Sequence, residues 1–163
     1  QFNLMGGAFE SGTGDYVTLF EPTASAFAAQ GKGHIVTNMG LESGEVPYTT
    51  FMMRKDTIEN EPGFAAAFVR AIYRAQKWVW AAGDEEVAYA MQSYFPDTDI
   101  ATLSAVAKSY RATDSWTRVP TMTEDAFTRL QDILDGAGEL AARIELSELV
   151  DNSFGEAAIS EIG

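Results

Sequence analysis

The spacing of apolar positions changes character along this chain. Residues 16–20 (YVTLF) form a short unbroken run of β-formers bounded by Asp15 and Pro22, and the pattern predicts a buried strand. Small and apolar residues over 23–30 predict a helix stopped by Gly31-Lys32-Gly33, and 34–38 (HIVTN) read as a second strand. Strand, helix and strand in that order describe a βαβ unit with a parallel pair. Upstream, residues 4–9 read as the end of a helix closing at the glycines around Gly12. Residues 40–44 read as a polar, acidic connector. Residues 46–53 then read as a third strand with Pro47 at its entry, where a missing amide donor does little harm.

Beyond residue 60 the period becomes helical. Asn60-Glu61-Pro62 combines a cap, an acid and an early proline. Phe64, Phe68, Ile72, Ala75 and Val79 then mark one face of a helix running to Gly83. Asp84 is placed to cap a further helix to about Phe95, ended by Pro96. Asp99 opens another, with Ile100, Leu103, Val106 and Tyr110 on one side. Thr121 to Glu124 has capping-box spacing before Phe127, Leu130 and Leu134. Ser147 starts a last short turn.

Composition narrows the function classes. The 163 residues are 46% hydrophobic and 12% aromatic, enough for one ordinary domain or part of a larger one. With 24 acidic against 11 basic residues the formal charge is −13. Nucleic acid and anionic membrane surfaces are therefore poor partners, since both call for a basic face. Cysteine is absent, which removes disulfides, thiolate metal sites and cysteine nucleophiles together. No apolar run approaches the roughly 20 residues of a membrane span. The chain opens Gln1-Phe2-Asn3 rather than with methionine, which we read as the start of a processed or truncated piece.

Few residues are placed for chemistry. His34 is the one histidine, and beside Lys32 at a strand entry it reads as surface structure; no G-x-S-x-G elbow accompanies it. Asp84, Glu85 and Glu86 cluster where acids favour a helix dipole, so they read as a helix start rather than a metal site. Gly12 and Gly14 precede their strand instead of following it and lack a third glycine, so they are turn residues, not a dinucleotide fingerprint. No catalytic residue, metal ligand or cofactor site is assigned. Phe64, Phe68, Trp78, Trp80, Tyr94 and Phe95 lie on helical periods and read as core. Glu21 is the strongest polar candidate, because it stands at the carboxyl end of a predicted parallel strand, the edge where ligands collect in open α/β sheets. A carboxylate hydrogen-bonded to the next helix start explains Glu21 equally well. Tyr48, entered directly from the glycine-bounded connector, is a candidate cleft-lining ring.

The ordered set LMGGAFESGTGDYVTLFEP at 4–22, TASAFAAQGKG at 23–33, HIVTNMG at 34–40 and VPYTTFMMRKDTIENEPGF at 46–64 resembles a known family. So do FPDTD at 95–99 and LVDNSF at 149–154. The chain looks like the C-terminal half of a periplasmic substrate-binding protein serving ABC importers, of the nitrate, sulfonate, taurine and thiamine-pyrimidine-precursor type. That resemblance implies an α/β, type II two-lobe fold, helix-rich after the crossing strand. Residues 1–44 would be the end of the second lobe and the connector, and 45–163 the return crossing strand and the helical part of the first lobe. Phe20, Glu21, Pro22 and Tyr48 would contact the ligand.

The same resemblance implies capture of a small organic solute, pyrimidine-like, sulfonate or related, and presentation to an inner-membrane ABC permease, without chemistry. It implies a periplasmic or cell-surface lipoprotein. An iron-dependent pyrimidine synthase of similar fold is the enzymatic alternative, although that enzyme uses a cysteine-rich motif and histidines. A sensory or interaction domain is the third reading. The family is about twice this length, so sheet edges and apolar faces are expected to be left unsatisfied, with dimerisation, swapping or pairing with an N-terminal fragment as the response.

Overall fold

Among the described residues, helices carry the whole of the regular structure. The computed structural model describes residues 2–163, and among them it has ten α-helices, one 3-10 turn and no β-strand. The helices are α1 (Phe2–Glu10), α2 (Thr23–Ala29), α3 (Met39–Ser43), α4 (Lys55–Asn60), α5 (Pro62–Ala81), α6 (Asp84–Met91), α7 (Ile100–Ala112), α8 (Glu124–Gly136), α9 (Leu146–Leu149) and α10 (Ser153–Ile162). The 3-10 turn, Gln92–Tyr94, follows α6.

The strands expected at 16–20, 34–38 and 46–53 are not formed, and neither is the parallel pair that would join the first two. The physical reason is that a strand, unlike a helix, satisfies its backbone only through a neighbour. These segments have the side chains of strands but form no ladder among the described residues. The connector expected at 40–44 is mostly the short helix α3, and α4 was not foreseen. Asn60, read as a cap, instead closes α4, donating its side-chain amide to the Asp56 carbonyl at 2.7 Å. Pro62 opens α5 as expected, at the helix position where a missing N–H costs nothing.

Local signals placed most other helix starts. Asp99 caps α7, its Oδ1 accepting from the Thr102 amide at 2.9 Å and its Oδ2 from the Thr102 hydroxyl at 2.8 Å. For α8 the cap lies at Thr123, accepting from the Ala126 amide at 3.2 Å, two residues past the expected start. Asp84 does not cap α6. Gly83 holds that position, and Asp84 accepts from Arg111 at 2.7 Å. The turn expected from Ser147 is α9, while α10 escaped the reading altogether.

The chain divides into two packing units. One takes the residues up to Asn38 with Ala82–Ser115, the other Met39–Ala81 with Trp116–Gly163. They interleave along the sequence. In the first unit α6 lies against α7, burying Val87, Ala88, Leu103 and Ala107 almost completely. Burial of the Val87 and Leu103 side chains contributes roughly 1.5–3 kcal/mol each. Arg111 ties this pair at its end, donating to Asp84 and, at 2.6 Å, to the Ala82 carbonyl. In the second unit α5 packs on α10, and Ala65, Tyr73, Gly155 and Ala158 are buried. Side-chain amides lock its loops. Gln131, 7% exposed, accepts from the Ile144 N–H at 2.9 Å and donates to the Ile144 carbonyl at 3.1 Å. Asn152 grips both backbone groups of Met122 in the same way, at 3.0 and 2.9 Å.

Candidate functional site

The candidate site grows from the end of α1. Its last turn closes with the Thr13 amide on the Ala8 carbonyl at 2.9 Å, and Gly12, at φ +89°, takes the left-handed conformation that ends the helix. Gly14 repeats that conformation at φ +79° and turns the chain into residues 15–20. The run then ends in Phe20-Glu21-Pro22, joined by a cis peptide between Glu21 and Pro22, and α2 begins at once.

Glu21 is half-buried, and its carboxylate turns along α2. Oε2 accepts from the Ser25 N–H and Oε1 from the Ser25 hydroxyl, both at 2.9 Å. Of the two explanations open in the sequence, this contact realises the helix-start carboxylate. The charge is held by a donor pair from one residue, and Glu21 lines neither of the cavities beside it.

Its neighbours do. Phe20 lines a cavity of about 380 Å³ whose wall also includes Gly7, Glu10, Thr18, Leu19 and Phe27. Gly6 shapes the same wall, because a Cβ there would come within 3.0 Å of the Phe27 ring. Pro22 lines a second cavity of about 480 Å³, shared with Thr23, Phe27, Lys32, Asp97 and Asp99. Phe27 lines both. Lys32 is paired with Glu10 at 2.7 Å and lies 5.3 Å from the Phe27 ring centre. Asp99 faces the second cavity already charged, since the hydrogen bonds from the Thr102 amide and hydroxyl hold its carboxyl below the usual range. Together these walls offer an aromatic ring, hydroxyls and paired ions, a mixture suited to small polar organic molecules.

Tyr48 belongs to the other unit and is 76% exposed. There the chain is steered by Gly44, at φ +74°, beneath the Arg129 guanidinium, which donates to the Glu45 carbonyl at 2.7 Å. Phe51 meets Phe68 edge to face at 5.1 Å and stays largely exposed. Phe20, Glu21 and Pro22 are thus brought together by one corner, whereas Tyr48 is placed by a different element in a different unit. The Asp97–Asp99 wall was missed as part of a site. The signal at Asp99 was read correctly as a helix cap, but only the packing of α2 on α7 carries that cap to Pro22. Among the described residues no group of three or more His, Cys, Asp or Glu side chains converges as a metal site.

Comparison with known proteins places these residues in context. The sequence profile described as the NMT1-like family matches residues 3–93, which include the Phe20–Pro22 corner and Tyr48. A Bacillus subtilis (strain 168) protein named "Putative binding protein YtlA" is 40% identical over 160 residues. That match covers 98% of this chain and 48% of the relative, so the chain spans about half the length of the curated relative it matches. No solved structure matches the chain.

Proposed function

The chain belongs to the NMT1-like family, and on that premise we propose that it is part of a solute-binding protein that captures a small organic molecule at the Phe20–Pro22 corner. Its helix-rich structure is consistent with the C-terminal half of that family's two-lobe α/β fold. The observation that carries the functional reading is the family match itself, which spans the corner and both adjoining segments. The named relative, called a binding protein, supports it. Cavities of about 380 and 480 Å³ flank the corner and lie within the size range of small-ligand sites.

The ligand is a small organic solute, pyrimidine-like, sulfonate or related. Glu21 bears on the choice. A carboxylate offers about four acceptor positions, and Ser25 occupies two of them. The remaining capacity favours a ligand that brings N–H donors, such as an amino-substituted nitrogen heterocycle, over a bare anion, which calls for donors instead. Delivery to an ABC permease of the inner membrane, and residence in the periplasm or on the cell surface as a lipoprotein, complete the reading. No bond is made or broken in it.

Thermal-shift screening of the intact protein against pyrimidines and sulfonates tests this directly. A solute present at about 100 times its Kd stabilises the folded state by about 2.7 kcal/mol. The expected result is stabilisation by amino-pyrimidines, reduced in Phe20→Ala and Glu21→Gln. Stabilisation by sulfonates alone, unchanged in Glu21→Gln, would remove the carboxylate argument. A flat response to every solute would remove the binding reading.

A further inference from the structure

Phe27 and Thr23 belong to the walls of both cavities at the corner, and Phe27 is much the larger of the two. Its ring is held from two directions. Toward α1 it meets Gly6, where a Cβ would come within 3.0 Å of Cζ and 3.5 Å of Cε2, so the ring tip already packs on the helix backbone. On another side the Lys32 ammonium lies 5.3 Å from the ring centre, and Glu10 fixes that ammonium with an ion pair of 2.7 Å. Glu10 lines the first cavity and Lys32 the second, so the pair reaches from one wall to the other beside the ring. The cavities differ in chemistry: Leu19 and Phe20 give the first an apolar lining, whereas Asp97 and Asp99 bring carboxylates to the second.

We infer that Phe27 is a specificity-determining residue of this corner: its ring confines the solute to the first cavity and keeps larger molecules from extending into the second. The inference rests on the solute-binding reading and adds to it an upper limit of size. At about 380 Å³ the first cavity holds a single substituted ring. It lies near the lower end of the range of small-molecule sites, roughly 300–1,000 Å³, and the two cavities opened into one would lie in its upper part. An aromatic side chain suits the task, because it is bulky and has only two rotatable bonds. Gly6 is its counterpart, since a methyl group there would narrow the first cavity and press on the ring.

The test titrates the intact protein calorimetrically with two pairs of solutes that differ by one phenyl ring: 4-aminopyrimidine with 4-amino-2-phenylpyrimidine, and benzenesulfonate with biphenyl-4-sulfonate. In whichever pair binds, the wild type should prefer the smaller member by about tenfold or more. Phe27→Ala should reduce that ratio at least about tenfold, bringing it to parity or reversing it. Phe27→Leu carries the same test with less loss of packing and should move the ratio in the same direction. Damage to the fold alone would weaken both members of a pair alike and leave their ratio unchanged. Gly6→Ala should weaken the smaller member. A ratio unmoved in both Phe27 variants, a wild type that takes the larger member equally well, or a Gly6→Ala variant that binds as the wild type does would each overturn the inference and leave solute binding at the corner standing. Silence of the wild type toward all four solutes and toward the wider pyrimidine and sulfonate screen would overturn the binding reading, and the inference with it.

Discussion

Residues 4–60 and residues 62–162 differ less in how apolar they are than in where their backbone partners come from. Among the described residues of the first region only Gly6 is buried, while Leu4, Tyr16, Ile35, Val36, Leu41, Tyr48, Phe51 and Met52 are all exposed. The second region buries Tyr73, Val87, Leu103, Val106 and Phe127. A helix closes its own hydrogen bonds and asks its neighbours only for an apolar face. Sequence beyond residue 62 supplies such faces in pairs, α6 for α7 and α5 for α10. The β-forming segments need a neighbouring strand as well, and no strand is formed among the described residues.

The sharpest way to break that contrast is to shorten one side chain in each region. Leu103→Ala should cost about 3 kcal/mol, because it opens a cavity between helices that leave Leu103 1% exposed. Val36→Ala should change stability by no more than about 0.5 kcal/mol, the usual range for an exposed position. Denaturant titration of both variants reads the difference. Equal costs would mean that residues 34–38 belong to a packed core in solution.

Adding a methyl group sharpens it further. At Gly155 a Cβ would lie 2.5 Å from the Pro120 carbonyl oxygen and 2.8 Å from the Thr121 methyl, so Gly155→Ala should cost about 2 kcal/mol through overpacking. At Gly7 in α1 a Cβ would meet nothing within 4 Å. Gly7→Ala should therefore raise stability by roughly 0.5–1 kcal/mol through helix propensity. The opposite signs in thermal melts are the expected outcome, and matching losses would show that α1 is more tightly covered than its surroundings indicate.

A smaller loss is expected at a helix end. Thr123→Ala removes the acceptor for the Ala126 amide and should lower stability by about 1 kcal/mol, measured in the same titrations. Thr123→Ser, which keeps the hydroxyl, should recover most of it.

What could be read from the sequence follows the same division. α2, α5, α7 and the end of α1 were legible, because glycine stops, Pro62 and the Asp99 cap act within a few residues. The β-prone segments were read correctly for their side chains and wrongly as formed strands, since propensity describes half of a pair. Contacts made at long range were not legible. The Gln131 grip on Ile144, the seat of Gly155 against Pro120 and the whole of α10 depend on which helix faces meet. At the candidate site Glu-Pro marked the corner, and Ser25 four residues on was a readable partner for Glu21. The second cavity was hidden, because Asp99 reaches it through packing rather than sequence.

Asp99 offers the finest probe, since it caps a helix of the packed region and lines a cavity against α2. Its carboxyl is held below its ordinary value of 3.8, first by the Thr102 amide and then by the Thr102 hydroxyl. A depressed carboxyl contributes stability that is present above the unfolded value and lost as pH falls through the folded one. The contribution should therefore be complete near neutrality and decline below about pH 4. Relief of repulsion among the 24 acidic groups acts in the opposite direction over the same range, so the wild-type curve alone is ambiguous. Asp99→Asn separates the two, because asparagine caps as well as aspartate but does not titrate. The stability difference between wild type and Asp99→Asn, followed by denaturant midpoints from pH 6 to pH 3, should shrink as the pH falls. A difference that stays constant would mean that the Thr102 hydrogen bonds do not discriminate between the charged and neutral carboxyl, and that the α7 end of the second cavity carries no held charge.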